Sequence, residues 1–562
     1  MGTRKRRPPA PSKAAASEAA NPAAGKILSF LERRSLPVAL ALVVLASIRI
    51  AATYTVFNHT SDEPAHIACG MEWLADGTYR WEPQHPPLAR VATAIGPYLL
   101  GIRSQHTPRN ALFGFSKEGT AILYAGHHYD LTLSLARLGI LPFFWACCAV
   151  VYWWGKRYFG AAAAVTAVFL FTFLPTILAH SGLATTDIAH TATMAGAFLL
   201  GAIWLEDPTP PKAAWFGVAL GLMVLSKFSC LLFFPAGCAF GLAWYWVRER
   251  PRFAALISML KARIPTLGLA LAIGLLLIWA GYRFHVGDSG IAHLRLPAPE
   301  LYAGIRQVSQ HNAEGHDSFL LGKRGNTGFW YFYPVAIAFK TPIAFLILMA
   351  VGFVMMFRKE ARFGPLWIPL AFAVGILLPA AFSRITIGVR HVMPVYISFA
   401  LVSAMALLRM LELSATRKWL LAVCGALVLW LAVSSLASHP DYLPYFNELA
   451  GSEPEKILAD SDLDWGQDLK RLSARLREGG ATEVSFDKYI IGDWEKEHGF
   501  PKIYPLNQMS PRVGWNAIGV GLWKESRLVL WPDWTKPHER VGKSILLWYF
   551  PAPNSSAGIV PR

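Results

Sequence analysis

The segment NHTSDEPAH at residues 58–66 follows directly after the first long apolar run, which covers residues 36–57. An apolar run of about 20 residues is long enough to cross a bilayer as a helix. Two acids of the following segment, Asp62 and Glu63, therefore lie at the end of a membrane-spanning helix. A carboxylate in this position is energetically costly, so we expect it to have a function. This pattern predicts a site at a membrane face, with a carboxylate that can accept a proton from a hydroxyl group.

The composition of the whole chain is that of a multi-span membrane protein. Of its 562 residues, 54% are hydrophobic and only 16% are charged, which is too apolar for an ordinary soluble protein. The 21 Trp, 18 Tyr and 33 Phe are typical of aromatic belts at membrane interfaces. The net charge of +17 comes mostly from basic residues that flank apolar runs, so we predict no nucleic-acid partner. The six cysteines form no disulfide or metal pattern.

About eleven apolar runs are candidates for membrane-spanning helices. They cover residues 36–57, 131–154, 161–179, 188–204, 213–225, 228–247, 266–282, 341–357, 366–382, 392–411 and 419–437. With the N-terminus inside, the short loops on the inner side carry the Lys and Arg residues, as the positive-inside rule requires. The long loops then fall on the outer side, beginning with the first outer loop at residues 58–130.

The chain is predicted to divide into three parts. Residues 1–34, with the run RKRR at positions 4–7, are expected to be a basic disordered cytoplasmic tail. Residues 35–437 form the membrane domain, and residues 438–562 form a small extracytoplasmic α/β domain with an accessory role. In that domain we predict a helix at 468–478 and short strands at 457–460, 483–486, 517–520, 527–530 and 544–550.

Acids and histidines are the first candidates for chemistry. If Pro64 opens a short interfacial helix, Ser61 or Asp62 caps it and His66 lies on the same face as Asp62. The alternative is a helix cap next to a surface histidine. His85 follows in the same loop on a Pro-Pro turn. Asp187 begins another span on the same side, either as its N-cap or as a second acid of one site.

Cations from separate spans end at the same predicted level. Lys227, Lys340 and Arg390 all reach the outer interface, and Arg384 and His391 lie beside Arg390 in the sequence. Snorkelling to lipid headgroups would explain any one of them. Basic residues are normally depleted on this side, so we expect them to converge on a bound anion, such as a lipid phosphate.

A metal site is the competing interpretation. His66, His85 and His391 together with the two acids of the first loop could bind a divalent cation, but their spacing matches no standard zinc pattern. The segment DSDLDWGQD at 460–468 resembles a calcium loop only superficially, because position 12 of such a loop would be Arg471. We therefore predict no metal or other cofactor.

Short motifs along the chain carry a resemblance to a known family. They are Asp62-Glu63, HPPL at 85–88, LATTD at 183–187, LSK at 225–227, GVRH at 388–391, YLPYFNEL at 442–449 and DWGQD at 464–468. With these motifs the chain resembles membrane glycosyltransferases of the GT-C fold, in particular bacterial relatives of protein O-mannosyltransferases and of lipid A aminoarabinose transferase.

The resemblance implies an α-helical polytopic membrane protein that moves a hexosyl or pentosyl group from a polyprenyl phosphate, with inversion, to a hydroxyl of a protein, lipid or glycan. The bacterial cytoplasmic membrane would hold it, with its active site facing outward. Asp62 would be the catalytic base, Glu63 its neighbour and Asp187 a second acid. Residues implied or proposed to bind substrate are His66, His85, Arg90, Lys227, Lys340, Arg384, Arg390 and His391.

Two other functions remain open at this level. A lipid or sugar transporter would show repeat symmetry and charges near the bilayer midplane, and within the first span only Arg49 fits such a pathway. A ligase or polymerase that uses a lipid diphosphate donor is the third candidate.

Overall fold

The computed structural model describes residues 22–358, 361–487, 490–525 and 529–552. The basic run at residues 4–7 lies outside the described residues. The disorder predicted for residues 22–34 is wrong, because these residues belong to the first helix, which begins at Pro22 and has a non-helical backbone at Arg34.

Helices make up the membrane domain, and we number them in chain order. They are α1 (Pro22–Ala51), α2 (Glu63–Met71), α3 (Pro87–Leu99), α4 (Gly114–Tyr124), α5 (Tyr129–Leu138), α6 (Leu141–Phe159), α7 (Ala161–Thr172), α8 (Pro175–Ser181), α9 (Asp187–Glu206), α10 (Pro210–Val224), α11 (Cys230–Glu249), α12 (Phe253–Gly281), α13 (Pro299–Glu314), α14 (Phe332–Lys340), α15 (Ile343–Met356), α16 (Trp367–Ala380), α17 (Val395–Leu413) and α18 (Trp419–Ala437). Two hairpins lie between α12 and α14 and are formed by the pairs β1 (Val286–Asp288) with β2 (Arg295–Pro297) and β3 (Ser318–Leu320) with β4 (Lys323–Gly325).

Every apolar run that the sequence predicts to span the membrane falls on one or two of these helices. In the described part of the chain, seven helical segments are long and apolar enough to cross a membrane, and α7 with α8 would add an eighth as one span bent by 71°. The remaining three runs correspond to α10, α15 and α16, which have only 15, 14 and 14 residues.

The centre of the bundle is α17. It packs against α7, α15, α16 and α18, and almost all of its side chains are buried. A helix that is apolar on all sides is stable only when neighbours or lipid surround it completely. At the periphery, α12 leaves Leu271, Leu275 and Leu276 exposed, as expected for a surface that faces lipid.

The connection between α1 and α6 folds back onto one end of the bundle. All nine residues of α2 are buried, and the helix packs between α3 and α4. Pro64 lies in its first turn, as the sequence predicts, but no side chain caps the helix. The predicted cap by Ser61 or Asp62 is therefore wrong.

The C-terminal part is a small α/β unit on the same end of the bundle. Its elements are α19 (Leu469–Glu478), β5 (Glu483–Ser485), α20 (Trp494–His498), β6 (Lys502–Tyr504), β7 (Gly514–Gly519), α21 (Val520–Glu525), β8 (Glu539–Val541) and β9 (Ile545–Phe550). The strand order is β6-β5-β7-β9-β8, with β5 parallel to β6 and β7 and with β9 antiparallel to its two neighbours. The leucines of α19 pack on this sheet and form its core.

Two strand predictions for this unit need correction or fall in part outside the described residues. Residues 457–460 form no strand of the sheet, and the contact there is an isolated bridge between Leu320 and Leu458. Of the strand predicted at 527–530, residues 527 and 528 lie outside the described part, and residues 529 and 530 are not in a strand. The short strands β6 and β8 were not among the predicted elements.

We expect Gly119→Ala to destabilise the protein, because a Cβ at this position of α4 would overlap the backbone of Pro64 in α2. Overpacking of this kind costs about 1–3 kcal/mol. The measurement is the melting temperature of the purified protein in lipid nanodiscs. Gly425→Ala in α18 is the matched control, since its Cβ would meet no atom within 4 Å. Equal melting temperatures for the two variants would contradict the close packing of α2 and α4.

Candidate active site

Asp62 stands immediately before α2 and is the most accessible of the three predicted acids. Its side chain is 39% exposed, whereas those of Glu63 and Asp187 are 0% and 1% exposed. Its Oδ2 accepts a hydrogen bond from Nη1 of Arg390 at 3.2 Å. Of these three carboxylates, Asp62 is therefore the one that a bound ligand can reach.

Glu63, the next residue, is completely enclosed. Its Oε1 and Oε2 accept hydrogen bonds from Nε and Nη2 of Arg137 at 2.8 and 2.9 Å. The backbone N–H groups of Ala184 and Thr60 donate to the same carboxylate, each at 2.8 Å. Burial alone would raise the pKa of Glu63, but the charge of Arg137 and these hydrogen bonds hold it below its ordinary value. Its contacts give it a structural role.

Asp187 is the first residue of α9 and is held by two cations. Its Oδ1 accepts a hydrogen bond from Nζ of Lys227 at 2.6 Å, and its Oδ2 lies 3.8 Å from Nη1 of Arg390. Lys227 comes from the short connection between α10 and α11, and Arg390 comes from the connection between α16 and α17. The structure thus brings Asp62, Asp187, Lys227 and Arg390 together in one cluster, which we call the charge cluster.

Arg390 lies between the two carboxylates of the charge cluster. Burial alone would lower the pKa of Arg390, but Asp62 and Asp187 raise it above its ordinary value. Its side chain is 11% exposed and that of Lys227 is 13% exposed, so both cations keep a small accessible surface. Nη2 of Arg390 has no hydrogen-bond partner among the residues that the structure describes.

A second polar network is centred on Arg90, which is buried. Its Nε donates to Nδ1 of His66 at 3.0 Å, and its Nη2 forms an ion pair with Glu82. Nδ1 of His85 lies 3.4 Å from the same carboxylate. Burial would raise the pKa of Glu82, but the charge of Arg90 lowers it. Burial also lowers the pKa values of His66 and His85, so both imidazoles are neutral at pH 7.

Within this network only His85 has an open side. Its side chain is 28% exposed, while the residue His66 is 3% and Arg90 is 1% exposed. The backbone N–H of Leu88 donates to the oxygen of Leu225 at 3.0 Å, which places the segment of His85 beside the connection that carries Lys227. His85 is therefore the member that can contact a ligand, and the other two hold it in position.

Lys340 and Arg384 do not join the charge cluster, contrary to the expectation from sequence. Nζ of Lys340 donates to the backbone oxygens of Leu443 at 2.7 Å and Asp462 at 2.5 Å, and burial lowers its pKa to about 8. Arg384 is exposed and donates to the backbone oxygen of Ala313 at 3.0 Å. Both cations therefore bind backbone oxygens of other segments of the chain.

His391 follows Arg390 but its ring faces two aromatic side chains. It stacks on Tyr333 and makes an edge contact with Phe233. Burial and the charge of Lys227 lower its pKa to about 3, so the imidazole is neutral. His391 thus lies at the edge of the charge cluster, where it packs against these two rings.

Sequence reasoning missed several residues of this region. Glu82 and Arg137 carry the buried ion pairs; Glu82 could have been noticed by its position in the first loop, and Arg137 as a charge inside the span predicted at 131–154. Ser461 and Trp465 contact Arg390 from the C-terminal part. They belong to the DSDLDWGQD segment, whose sequence pattern resembles a calcium loop only superficially.

The competing metal interpretation finds no geometric basis in the described part of the chain. There, no group of three or more His, Cys, Asp and Glu side chains is arranged to hold a metal ion. Of the proposed ligands, Glu63 is paired with Arg137, and Nδ1 of His66 accepts a hydrogen bond from Arg90.

A family profile matches part of the chain, and a solved structure shares its fold. The fold is that of the GT-C glycosyltransferases, as the resemblance in sequence predicted. The profile of the dolichyl-phosphate-mannose-protein mannosyltransferase family matches residues 136–280, from the end of α5 to the end of α12. In a comparison with curated protein sequences, nothing matches the chain.

Two solved structures align with most of this chain. ArnT from Cupriavidus metallidurans bound to undecaprenyl phosphate has a TM-score of 0.50 and 12% identity, and the alignment covers 90% of this chain and 97% of that one. The Archaeoglobus fulgidus oligosaccharyltransferase tethered with an acceptor peptide has a TM-score of 0.45 and 14% identity, with 85% and 64% covered. At such identities the ArnT match establishes the fold alone.

We expect Arg137→Ala to destabilise the protein strongly, because it leaves the carboxylate of Glu63 buried without its cation. Breaking a buried pair in this way costs about 3–5 kcal/mol. The melting temperature and the yield of folded protein in detergent measure the effect. The double variant Glu63→Gln/Arg137→Met should lose less than Arg137→Ala, since it leaves no buried charge unpaired.

Arg157→Ala is the matched control for this prediction. Its pair with Glu206 is about 40% exposed on both sides, and exposed pairs are worth about 0–1 kcal/mol. If Arg137→Ala and Arg157→Ala melted alike, the structural role of the Glu63–Arg137 pair would be wrong.

Proposed function

We propose that the protein is an inverting glycosyltransferase that moves a sugar from a polyprenyl phosphate to a hydroxyl acceptor. The observation that carries this proposal is the charge cluster, in which an accessible carboxylate lies 3.2 Å from a partly accessible guanidinium. Glycosyl transfer from a lipid phosphate needs a base for the acceptor and cations for the leaving group, and the cluster supplies both.

Asp62 is the base in this proposal, because it is the accessible carboxylate of the three. Its Oδ takes the proton of the acceptor hydroxyl while that oxygen forms a bond to the anomeric carbon. The bond between the anomeric carbon and the phosphate oxygen breaks, and the electron pair leaves with the polyprenyl phosphate. A single displacement of this kind inverts the configuration at the anomeric carbon.

Arg390, Lys227 and His85 are the proposed donor-binding groups. Nη2 of Arg390, without a partner in the described residues, can donate to a phosphate oxygen, and Lys227 adds a point charge beside it. Stabilising the charge that develops on the leaving phosphate lowers the barrier of the transfer. Asp187 and Glu63, both buried, hold these cations and the Asp62 segment in position without touching the substrate.

The location of the site supports an acceptor outside the cytoplasm. The charge cluster lies at the end of the bundle that carries the C-terminal α/β unit, and the distribution of Lys and Arg assigns this end to the outer face of a bacterial cytoplasmic membrane. In ArnT the bound lipid is undecaprenyl phosphate. We propose a donor of this class, with either a hexosyl or a pentosyl group.

A transporter finds less support in the geometry. Arg49, the charge of the first span that suited a pathway, donates to Ser435 and Tyr442 and lies between the rings of Phe173 and Tyr442. It therefore holds α1 against α18 and the segment that follows. The partly accessible residues of the charge cluster lie together at one end of the bundle, as an interfacial enzyme requires.

We expect Asp62→Asn to reduce glycosyl transfer by about 10²–10⁴-fold, because an amide cannot accept the acceptor proton. The assay follows transfer from polyprenyl-phosphate sugars to a panel of hydroxyl acceptors, with wild type as reference and the anomeric configuration of the product read by NMR. Asp76→Asn, at an exposed acid of the same loop, is the control. Transfer by Asp62→Asn at the wild-type rate would remove Asp62 from the mechanism.

Arg390→Gln and Lys227→Gln should each weaken the binding of undecaprenyl phosphate at least about tenfold, since hydrogen bonds to charged groups contribute about 1.5–3 kcal/mol. Native mass spectrometry of the purified protein with undecaprenyl phosphate measures this. Lys212→Gln, an exposed lysine at the other end of α10, should leave binding unchanged. Unchanged binding in both cluster variants would favour snorkelling of these cations to headgroups.

A further inference from the structure

Arg390 receives two of its contacts from the C-terminal part of the chain. Its Nε donates to Oγ of Ser461 at 3.0 Å, and its Cζ lies 4.1 Å from the centre of the Trp465 ring. The Ser461 hydroxyl in turn donates to the backbone oxygen of Ile387 at 2.5 Å. The direction of this hydroxyl proton leaves a lone pair of Ser461 free to accept from Arg390.

The segment that carries these residues is closely docked on the loop before α17. Gly388 has φ +107, and a Cβ there would lie 2.7 Å from Oγ of Ser461. The backbone N–H of Val389 donates to Oδ1 of Asp462 at 3.0 Å, and Lys340 donates to the backbone oxygen of Asp462. The contacts of Val389 and Lys340 with Asp462 therefore fix the segment whose Ser461 side chain meets Arg390.

The same segment is tied to the loop of the proposed base. The backbone N–H of Ser61 donates to the oxygen of Trp465 at 3.2 Å, and Nδ2 of Asn58 donates to the oxygen of Gly466 at 2.6 Å. Oδ1 of Asn58 accepts from the backbone N–H of Leu469 at 2.8 Å. The segment thus joins the loop of Asp62 to the loop of Arg390.

An arginine between two carboxylates has a competing arrangement that would harm catalysis. Guanidinium groups prefer to bind a carboxylate through two parallel N–H groups. If Arg390 bound Asp62 in this way, it would cover the base and turn its donors away from a phosphate. In the structure Nε donates to Ser461 and to the backbone oxygen of Ile387, Cζ lies over the Trp465 ring, and Asp62 receives only Nη1.

We propose that residues 461–465 complete the donor site, with Ser461 and Trp465 as positioning residues that keep Nη2 of Arg390 available for the donor phosphate. The inference rests on the proposed function, because it assumes a lipid phosphate as the ligand of Arg390. It assigns the C-terminal part a role in binding the donor, where the sequence predicted an accessory domain.

The test measures the binding of undecaprenyl phosphate and of undecaprenol, which lacks the phosphate, to the full-length protein in nanodiscs. Trp465→Ala should weaken binding of the phosphate about tenfold, and Ser461→Ala should weaken it about threefold. Trp465→Phe keeps an aromatic face and should restore most of the affinity. Binding of undecaprenol should not change, so the ratio of the two affinities separates positioning from a general loss of structure.

A double-mutant cycle makes the assignment specific. In an Arg390→Gln background, Trp465→Ala and Ser461→Ala should have no further effect on phosphate binding, because the group that they orient is absent. Trp534→Ala, an exposed tryptophan of the same unit, is the control and should bind like wild type.

The outcomes distinguish the inference from the function on which it rests. Wild-type protein that does not prefer undecaprenyl phosphate over undecaprenol would overturn the proposed function. A wild type with that preference, together with unchanged affinity ratios in Ser461→Ala and Trp465→Ala, would overturn the positioning role alone. Should Trp465→Ala unfold, the Ser461→Ala and Trp465→Phe variants decide the question.

Discussion

The ion pair between Glu63 and Arg137 is the contact on which the geometry of the candidate site depends. It is fully buried and joins the loop after α1 to α5, and Arg137 also donates to the backbone oxygens of Tyr54, Phe57 and Asn58. A buried pair of this kind stabilises little by itself, but losing one partner is costly. The pair therefore permits one arrangement of the loop, and that arrangement sets the position of Asp62.

Two adjacent carboxylates thereby acquire different roles. Glu63 points into the protein, where a cation and two backbone N–H groups satisfy it, whereas Asp62 is 39% exposed and shares a single N–H of Arg390. A base for the reaction has to be a carboxylate that a substrate can reach, whereas a carboxylate that fixes the loop has to be buried. One Asp-Glu dipeptide supplies both, because consecutive residues at the start of a helix point in different directions.

The membrane domain and the C-terminal unit contribute to the same site. The helices carry Asp187 and hold Lys227 and Arg390 at their ends, while the segment before α19 touches Arg390 from the other side. Lys340 is buried in the membrane domain and donates to the backbone of that segment. It therefore holds this junction, whereas its position in the sequence suggested phosphate binding. The tertiary structure thus uses some of the interfacial cations for a ligand and others for the junction.

Much of the architecture could be read from the sequence alone, since hydrophobic runs and basic loops reflect the bilayer directly and each predicted span coincides with a helix. The sequence also proposed Asp62, Asp187, Lys227 and Arg390 as candidates, because charges beside spans are rare, and the structure brings these four together. What it could not determine was which charges meet. Arg90, Lys340 and Arg384 carry the same positive charge as Arg390, yet they bind other parts of the chain. Arg137 lies 74 residues from Glu63 in the sequence, and Ser461 and Trp465 lie 71 and 75 residues from Arg390. Only the packing of the helices brings such distant segments together, and burial then decides whether a charge serves a substrate or the fold.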